Sequence, residues 1–145
     1  MANPPKIFVS YSHKDRVWLD RLQEQFAPLA RGALLDPWDD TRIAPGKNWR
    51  EEIARALGEA DVAVLLVTPS FLASDFIAQH EFQPLLEKKH VFWVAVSASV
   101  YGMTELERYQ CANNPAKPLD GLSKAARNKA LVEICKKILA ASGSP

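Results

Sequence analysis

Residues 61–81 read DVAVLLVTPSFLASDFIAQHE, and this stretch decides the fold. Its first part, Val62 to Val67, is an unbroken apolar run rich in β-branched residues. Such a run suits a central parallel strand covered on both faces. A helix follows, with Ser74 or Asp75 as its N-cap. Ala78, Phe82, Leu85 and Leu86 recur at helical spacing and are expected to face the sheet. Glu81 stands beside that face, one turn after Ile77 and one turn before Leu85. Its carboxylate is therefore expected at the margin of the core, near the carboxyl ends of the strands, where open α/β sheets bind ligands. Pro84 cannot donate to the turn before it, so a kink or break is expected just after Glu81.

Outward from this centre, strand and helix alternate. Towards the amino terminus, residues 7–11 form a first strand, and Val17, Trp18, Leu22, Phe26 and Leu29 mark a helix that Arg31 and Gly32 end. Residues 33–35 read as a short second strand stopping at Asp36. The loop at residues 39–47, DDTRIAPGK, is long for a strand-to-helix connection, which is the mark of a loop with a task. Asn48 caps the next helix, whose stripe is Trp49, Ile53, Ala56 and Leu57. Towards the carboxyl terminus, residues 91–96 form a buried strand, residues 105–108 a helical turn and residues 109–112 a short edge strand. A closing helix is marked by Leu122, Ala126, Ala130, Leu131, Ile134, Cys135 and Ile138. Alternation of this kind requires parallel pairing and gives a doubly wound α/β sandwich.

The chain has 145 residues, 48% hydrophobic and 24% charged, enough for one domain with a sizeable core. Eighteen basic and seventeen acidic residues leave a formal charge of +1, which argues against direct nucleic-acid binding or an anionic membrane surface. No apolar segment is long enough for a signal peptide or a membrane span. Cys111 and Cys135 lie in no metal-like spacing and read as reduced thiols, so a cytoplasmic protein is expected.

Several common α/β chemistries fail on particular residues. No G-x-G-x-x-G follows the first strand. Gly46 and Lys47 resemble the end of a phosphate-binding loop, but Thr41 stands for its first glycine and Asn48 for its Ser or Thr. A phospho-receiver aspartate is missing at the end of the third strand, where Thr68 and Pro69 stand. His13, His80 and His90 have no zinc spacing and read as solvated surface residues, so no metal is expected.

Four stretches together resemble the Toll/interleukin-1 receptor (TIR) domain of the bacterial, NAD-hydrolysing type. They are KIFVSYSHKD, WDDTRIAPGKNW, AVLLVTPSFLASDFIAQHE and the closing segment from Pro118 to Leu139. The resemblance implies a flavodoxin-like three-layer sandwich with a five-stranded parallel sheet of order 2-1-3-4-5 over residues 1–140. Residues 141–145, ASGSP, then read as a flexible tail joined to a further carboxyl-terminal module that acts as sensor. The resemblance also implies cleavage of NAD⁺ at the nicotinamide–ribose bond, with NAD⁺ as substrate and no cofactor, and activation by self-assembly with other TIR domains in bacterial defence. The family's essential glutamate falls on Glu81. Substrate-binding positions fall on Ser10, Tyr11, Ser12, Lys14, Trp38, Asp39, Arg42, Ile43, Ser74 and Ile77. Ile77 departs from the family, where many catalytic members carry a tryptophan, which removes a stacking contact of order 1 kcal/mol. The competing expectation is a non-catalytic adaptor that signals by TIR–TIR contact through residues 39–47.

Overall fold

The apolar run of residues 62–67 is a strand over its whole length, and every one of its six side chains is buried. The structure, a computed structural model, describes residues 3–142. Strands β1 (Lys6–Ser10), β2 (Asp36–Trp38), β3 (Val62–Val67) and β4 (His90–Ala95) form one parallel sheet in the order β2-β1-β3-β4. Helices α1 (Arg16–Arg31), α2 (Trp49–Glu59), α3 (Pro69–Ala73), α4 (Phe82–Leu86) and α5 (Lys124–Ser142) cover both faces. None of the described helices is long and apolar enough to cross a membrane.

Because side chains alternate along a strand, the continuous apolar runs of β1, β3 and β4 feed two cores. Ile7, Val9, Val62, Val64 and Val94 pack with Leu19, Leu22 and Phe26 of α1 and Leu131, Ile134 and Ile138 of α5. Phe8, Ala63, Leu65, Val67 and Trp93 pack on the other face with Ile53, Ala56 and Leu57 of α2, with Phe71, and with Ile77 and Leu85. The result is the expected three-layer arrangement.

Local chemistry moves three boundaries from where the sequence pattern puts them. Residues 33–35 are not a strand. They complete the exit from α1: Ala33 is left-handed at φ 57°, and Leu34 N–H donates to the Leu29 carbonyl at 2.9 Å. Strand pairing starts only at Asp36, which stands opposite Lys6. The fifth strand is reduced to a single parallel bridge between Trp93 and Cys111. Past it, the Asn113 side chain takes the place of a strand backbone, accepting from Ala95 N–H at 2.8 Å and donating to the Ala95 carbonyl at 3.1 Å. The described sheet therefore has four strands, not five. Helix α5 runs on to Ser142, into the segment expected as a tail, and residues 143–145 lie outside the described residues.

The helix after β3 is broken, as Pro84 requires, but the break is wider than one kink. Ser74 caps it by accepting from Ile77 N–H at 3.2 Å. Residues Ile77–Glu81 then form a π-helical turn, closed by Phe82 N–H on the Ile77 carbonyl, before α4 begins. Pro84 has no N–H for the His80 carbonyl, and its ring crowds that carbonyl, so the chain widens there. The wider turn brings Ile77, Glu81 and Leu85 inside, while Ala78, expected on the sheet side, is exposed.

Candidate active site

The carboxyl ends of β1 and β3 face a cleft of about 870 Å³. Strand order reverses here, β1 leading outward to β2 on one side and β3 to β4 on the other, so the connections diverge and leave a crevice. The floor of the crevice is Glu81, carried in by the π-helical turn and only 8% exposed. Ser10, the last residue of β1, donates its hydroxyl to Glu81 Oε1 at 2.8 Å. Burial is the main influence on this carboxyl and raises its pKa from 4.5 to about 7. The Ser10 hydrogen bond and the charge of His13 pull it down, and the charge of Asp40 pushes it up.

The walls come from three loops, each pinned by side chains suited to the task. After β1, Ser12 accepts from Lys14 N–H at 3.3 Å and starts a 3-10 turn, His13–Asp15. After β3, Thr68 caps α3 by accepting from Phe71 N–H at 3.0 Å and donates its own hydroxyl to Asp15 at 2.5 Å. That bond ties the two strand ends together. After β2, Asp39 accepts from Gln23 at 2.7 Å and from Thr41 N–H at 2.9 Å, closing the turn Asp40–Arg42. The same loop then reverses at Pro45–Gly46, where Gly46 has φ 86° and Lys47 N–H donates to the Ala44 carbonyl at 3.2 Å. This is a type II turn, which needs glycine at its third position.

Among the residues expected at the site, Tyr11, Ser12, Lys14, Ile43, Ser74, Ile77 and Glu81 line the cleft, and Ser10 lies beneath it. Three lie elsewhere. Trp38 stacks on Phe8, ring centroids 5.1 Å apart, and belongs to the core. Asp39 is buried and spends its oxygens on Gln23 of α1 and on Thr41 of its own loop. Arg42 pairs with Asp36 at 3.8 Å, and both Asp39 and Arg42 border a separate small pocket of about 180 Å³ beside α1.

The sequence reading missed other cleft residues. Asp40 accepts from the Tyr11 hydroxyl at 2.7 Å through one oxygen and meets His13 Nε2 at 2.5 Å through the other. His13 is a solvated surface residue, as expected, but one that borders the cleft and is oriented by Asp40. Burial and the bond to Asp40 hold the Tyr11 phenol well above its ordinary pKa. Trp49, expected in the core stripe of α2, stands 47% exposed at the mouth of the cleft. It meets Phe76 at 5.0 Å between ring centroids. The adjacent pair Asp39–Asp40 was the available signal: one carboxylate satisfies the turn, so the second is free for the site.

In a doubly wound α/β domain, a cleft at the switch point over a buried carboxylate lies where open sheets place their ligand sites. Sequence comparison makes the class specific: the model of the TIR domain family matches residues 7–126, and the chain belongs to that family. An uncharacterised protein of Sinorhizobium fredii (strain NBRC 101917 / NGR234) is 35% identical over 86 residues. The match takes in 59% of this chain but 27% of that protein, so the chain spans only a fraction of its relative's length. Among solved structures, the TIR domain of the Toll-related receptor TRR-2 from Hydra magnipapillata superposes with a TM-score of 0.55 at 16% identity, over 68% of this chain and 79% of that one. The TIR domains of the activated Roq1 resistosome, which directly recognises the pathogen effector XopQ, give 0.50 at 18% identity, over 91% and 84%. At these identities the likeness is one of fold.

Proposed function

We propose that this TIR domain is an NAD⁺ hydrolase in which Glu81 cleaves the nicotinamide–ribose bond. The observation that carries the reading is a single buried carboxylate, held by Ser10, on the floor of a cleft at the carboxyl ends of the strands. Nicotinamide leaves NAD⁺ as a neutral molecule and takes the bonding electron pair, so the bond breaks without a general acid, unlike an ordinary glycoside. The ribosyl group is left with oxocarbenium character. An anionic Glu81 stabilises that charge or holds the ribose hydroxyls, and the low polarity around it strengthens the effect. Trp49 and Phe76 at the mouth offer rings for stacking, which offsets the absence of one at Ile77. Lys14 supplies a cation for the diphosphate. NAD⁺ is consumed as substrate, and no cofactor is needed.

Activity is proposed to depend on self-association with other TIR domains, driven by a sensor module that this chain's longer relatives have room for. Depletion of NAD⁺ by the assembled form would serve bacterial defence. Residues 39–47 offer the contact surface, since Arg42, Ala44, Pro45 and Lys47 are exposed and project beside the cleft. The same surface would serve an adaptor without catalysis. Turnover and sedimentation of E81Q and Ile43→Asp separate the two: an enzyme loses nicotinamide release in E81Q and still assembles, whereas an adaptor is indifferent to E81Q and fails to assemble with Ile43→Asp.

A further inference from the structure

Glu81 accounts for the departure of nicotinamide but leaves open what deprotonates the water that replaces it. Glu81 is engaged with Ser10 and is needed against the cationic ribosyl group. The other titratable groups in the cleft are Tyr11, His13, Lys14 and Asp40. Three of them form one chain: the Tyr11 hydroxyl donates to Asp40 Oδ1, and Asp40 Oδ2 meets His13 Nε2. A carboxylate offers only lone pairs, so the hydrogen of a neutral His13 sits on Nε2 and its Nδ1 keeps a lone pair. Among the described residues the ring makes no other hydrogen bond, and its side chain is 78% exposed on the cleft, open to water. Asp40 cannot swing away, because Tyr11 holds its second oxygen. A carboxylate that orients an exposed imidazole on the wall of a cleft is the arrangement of a general base. The other two histidines are placed for something else: His80 leans on Phe76 at 4.7 Å between centroids, and His90 opens β4 at the opposite end of the sheet.

Resting on the NAD⁺ reading above, we infer that His13 is the general base for the hydrolytic step, with Asp40 and Tyr11 as its positioning residues. The C1′–nitrogen bond breaks first and nicotinamide departs with the electron pair, and a water oxygen then bonds to C1′ of the ribosyl group held against Glu81. One proton of that water passes to His13 Nδ1 and then to solvent. The balance is NAD⁺ and water to ADP-ribose, nicotinamide and one proton.

The test compares two fates of the same ribosyl group in the full chain. Labelled nicotinamide can re-enter to give labelled NAD⁺, an exchange that removes no proton from its nucleophile. Water gives ADP-ribose and does require that removal. His13→Gln is expected to lower ADP-ribose formation about 100-fold while exchange stays within about threefold of the parent. Asp40→Asn is expected to lower the hydrolysis-to-exchange ratio in the same direction by a smaller factor. Thermal midpoints of both variants confirm that they fold. Equal losses of exchange and hydrolysis, or no loss of either, would overturn the role of His13. A parent protein that shows neither exchange nor nicotinamide release overturns the NAD⁺ reading itself, and His13's role falls with it.

Discussion

Glu81 is the residue on which stability and chemistry oppose each other. Its pKa near 7 means that between about pH 4.5 and 7 the folded protein holds a proton that the unfolded chain releases. Stability is therefore full below that window, falls as pH rises through it, and levels off above. A shift of this size corresponds to about 3 kcal/mol, so Glu81→Gln should unfold at higher urea than the parent at pH 8 by up to that amount, and equally at pH 4. A variant that gains nothing at pH 8 would contradict a buried, penalised carboxylate. The proposed catalysis needs the form that the fold resists. On the proposed mechanism kcat/KM should rise with pH through a single ionisation near 7, the free-enzyme pKa. The limb of kcat should lie lower, because the bound pyridinium cation favours the anion. Asp40→Asn, by removing a like charge that raises the Glu81 pKa, should move the kcat/KM limb to lower pH. A limb that stays in place in Asp40→Asn would show that the two carboxylates do not interact.

At the scale of elements, the π-helical turn Ile77–Glu81 sets where Glu81 points. Pro84→Ala restores a donor to the His80 carbonyl and allows an ordinary α-helix, which should stabilise the protein by about 1–3 kcal/mol in chemical denaturation. The tightened turn rotates Glu81 off Ser10, and nicotinamide release should drop at least tenfold. Unchanged activity in a stabilised variant would show that the turn does not position the acid. The same element shows what a sequence pattern can and cannot carry. β3 was legible to the residue because a six-residue apolar run has one buried solution, and Glu81 was legible because it interrupts a helical stripe. Ala78 was misplaced because helical periodicity assumes an α-turn throughout. The second strand was placed early because Leu34 and Leu35 look like strand residues, whereas the exit of α1 claims the backbone up to Leu34. Trp38, Asp39 and Arg42 were assigned to the site by the family resemblance. Their partners, Phe8, Gln23 and Asp36, are distant in sequence or on another element, and no local signal reports them. Asp40 and His13 escaped for the same reason: a contact across 27 residues of chain appears only once β1 and β2 are aligned.

For the molecule as a whole, the sheet separates two tasks. One face, packed by α1 and α5, is a continuous apolar core with a small pocket beside α1 and a more open one between α5 and the start of β4. The other face, packed by α2, α3, the π-helical turn and α4, carries the cleft at its carboxyl end. The exposed Arg42, Ala44, Pro45 and Lys47 stand next to that cleft, so on the proposed self-association a partner seated on this loop would border the access to Glu81. On the proposed self-association, a partner seated on this loop would extend the wall formed by Ile43 and Asp40, and activity would then depend on protein concentration. The most direct measurement is nicotinamide release from NAD⁺ at pH 8 by the purified protein and by Glu81→Gln, over a wide range of protein concentration. The account predicts a rate that rises faster than linearly with concentration in the parent and is lost in Glu81→Gln. Equal rates in the two proteins, or no release by the parent at any concentration even when the domains are held together by a fused oligomer, would contradict it.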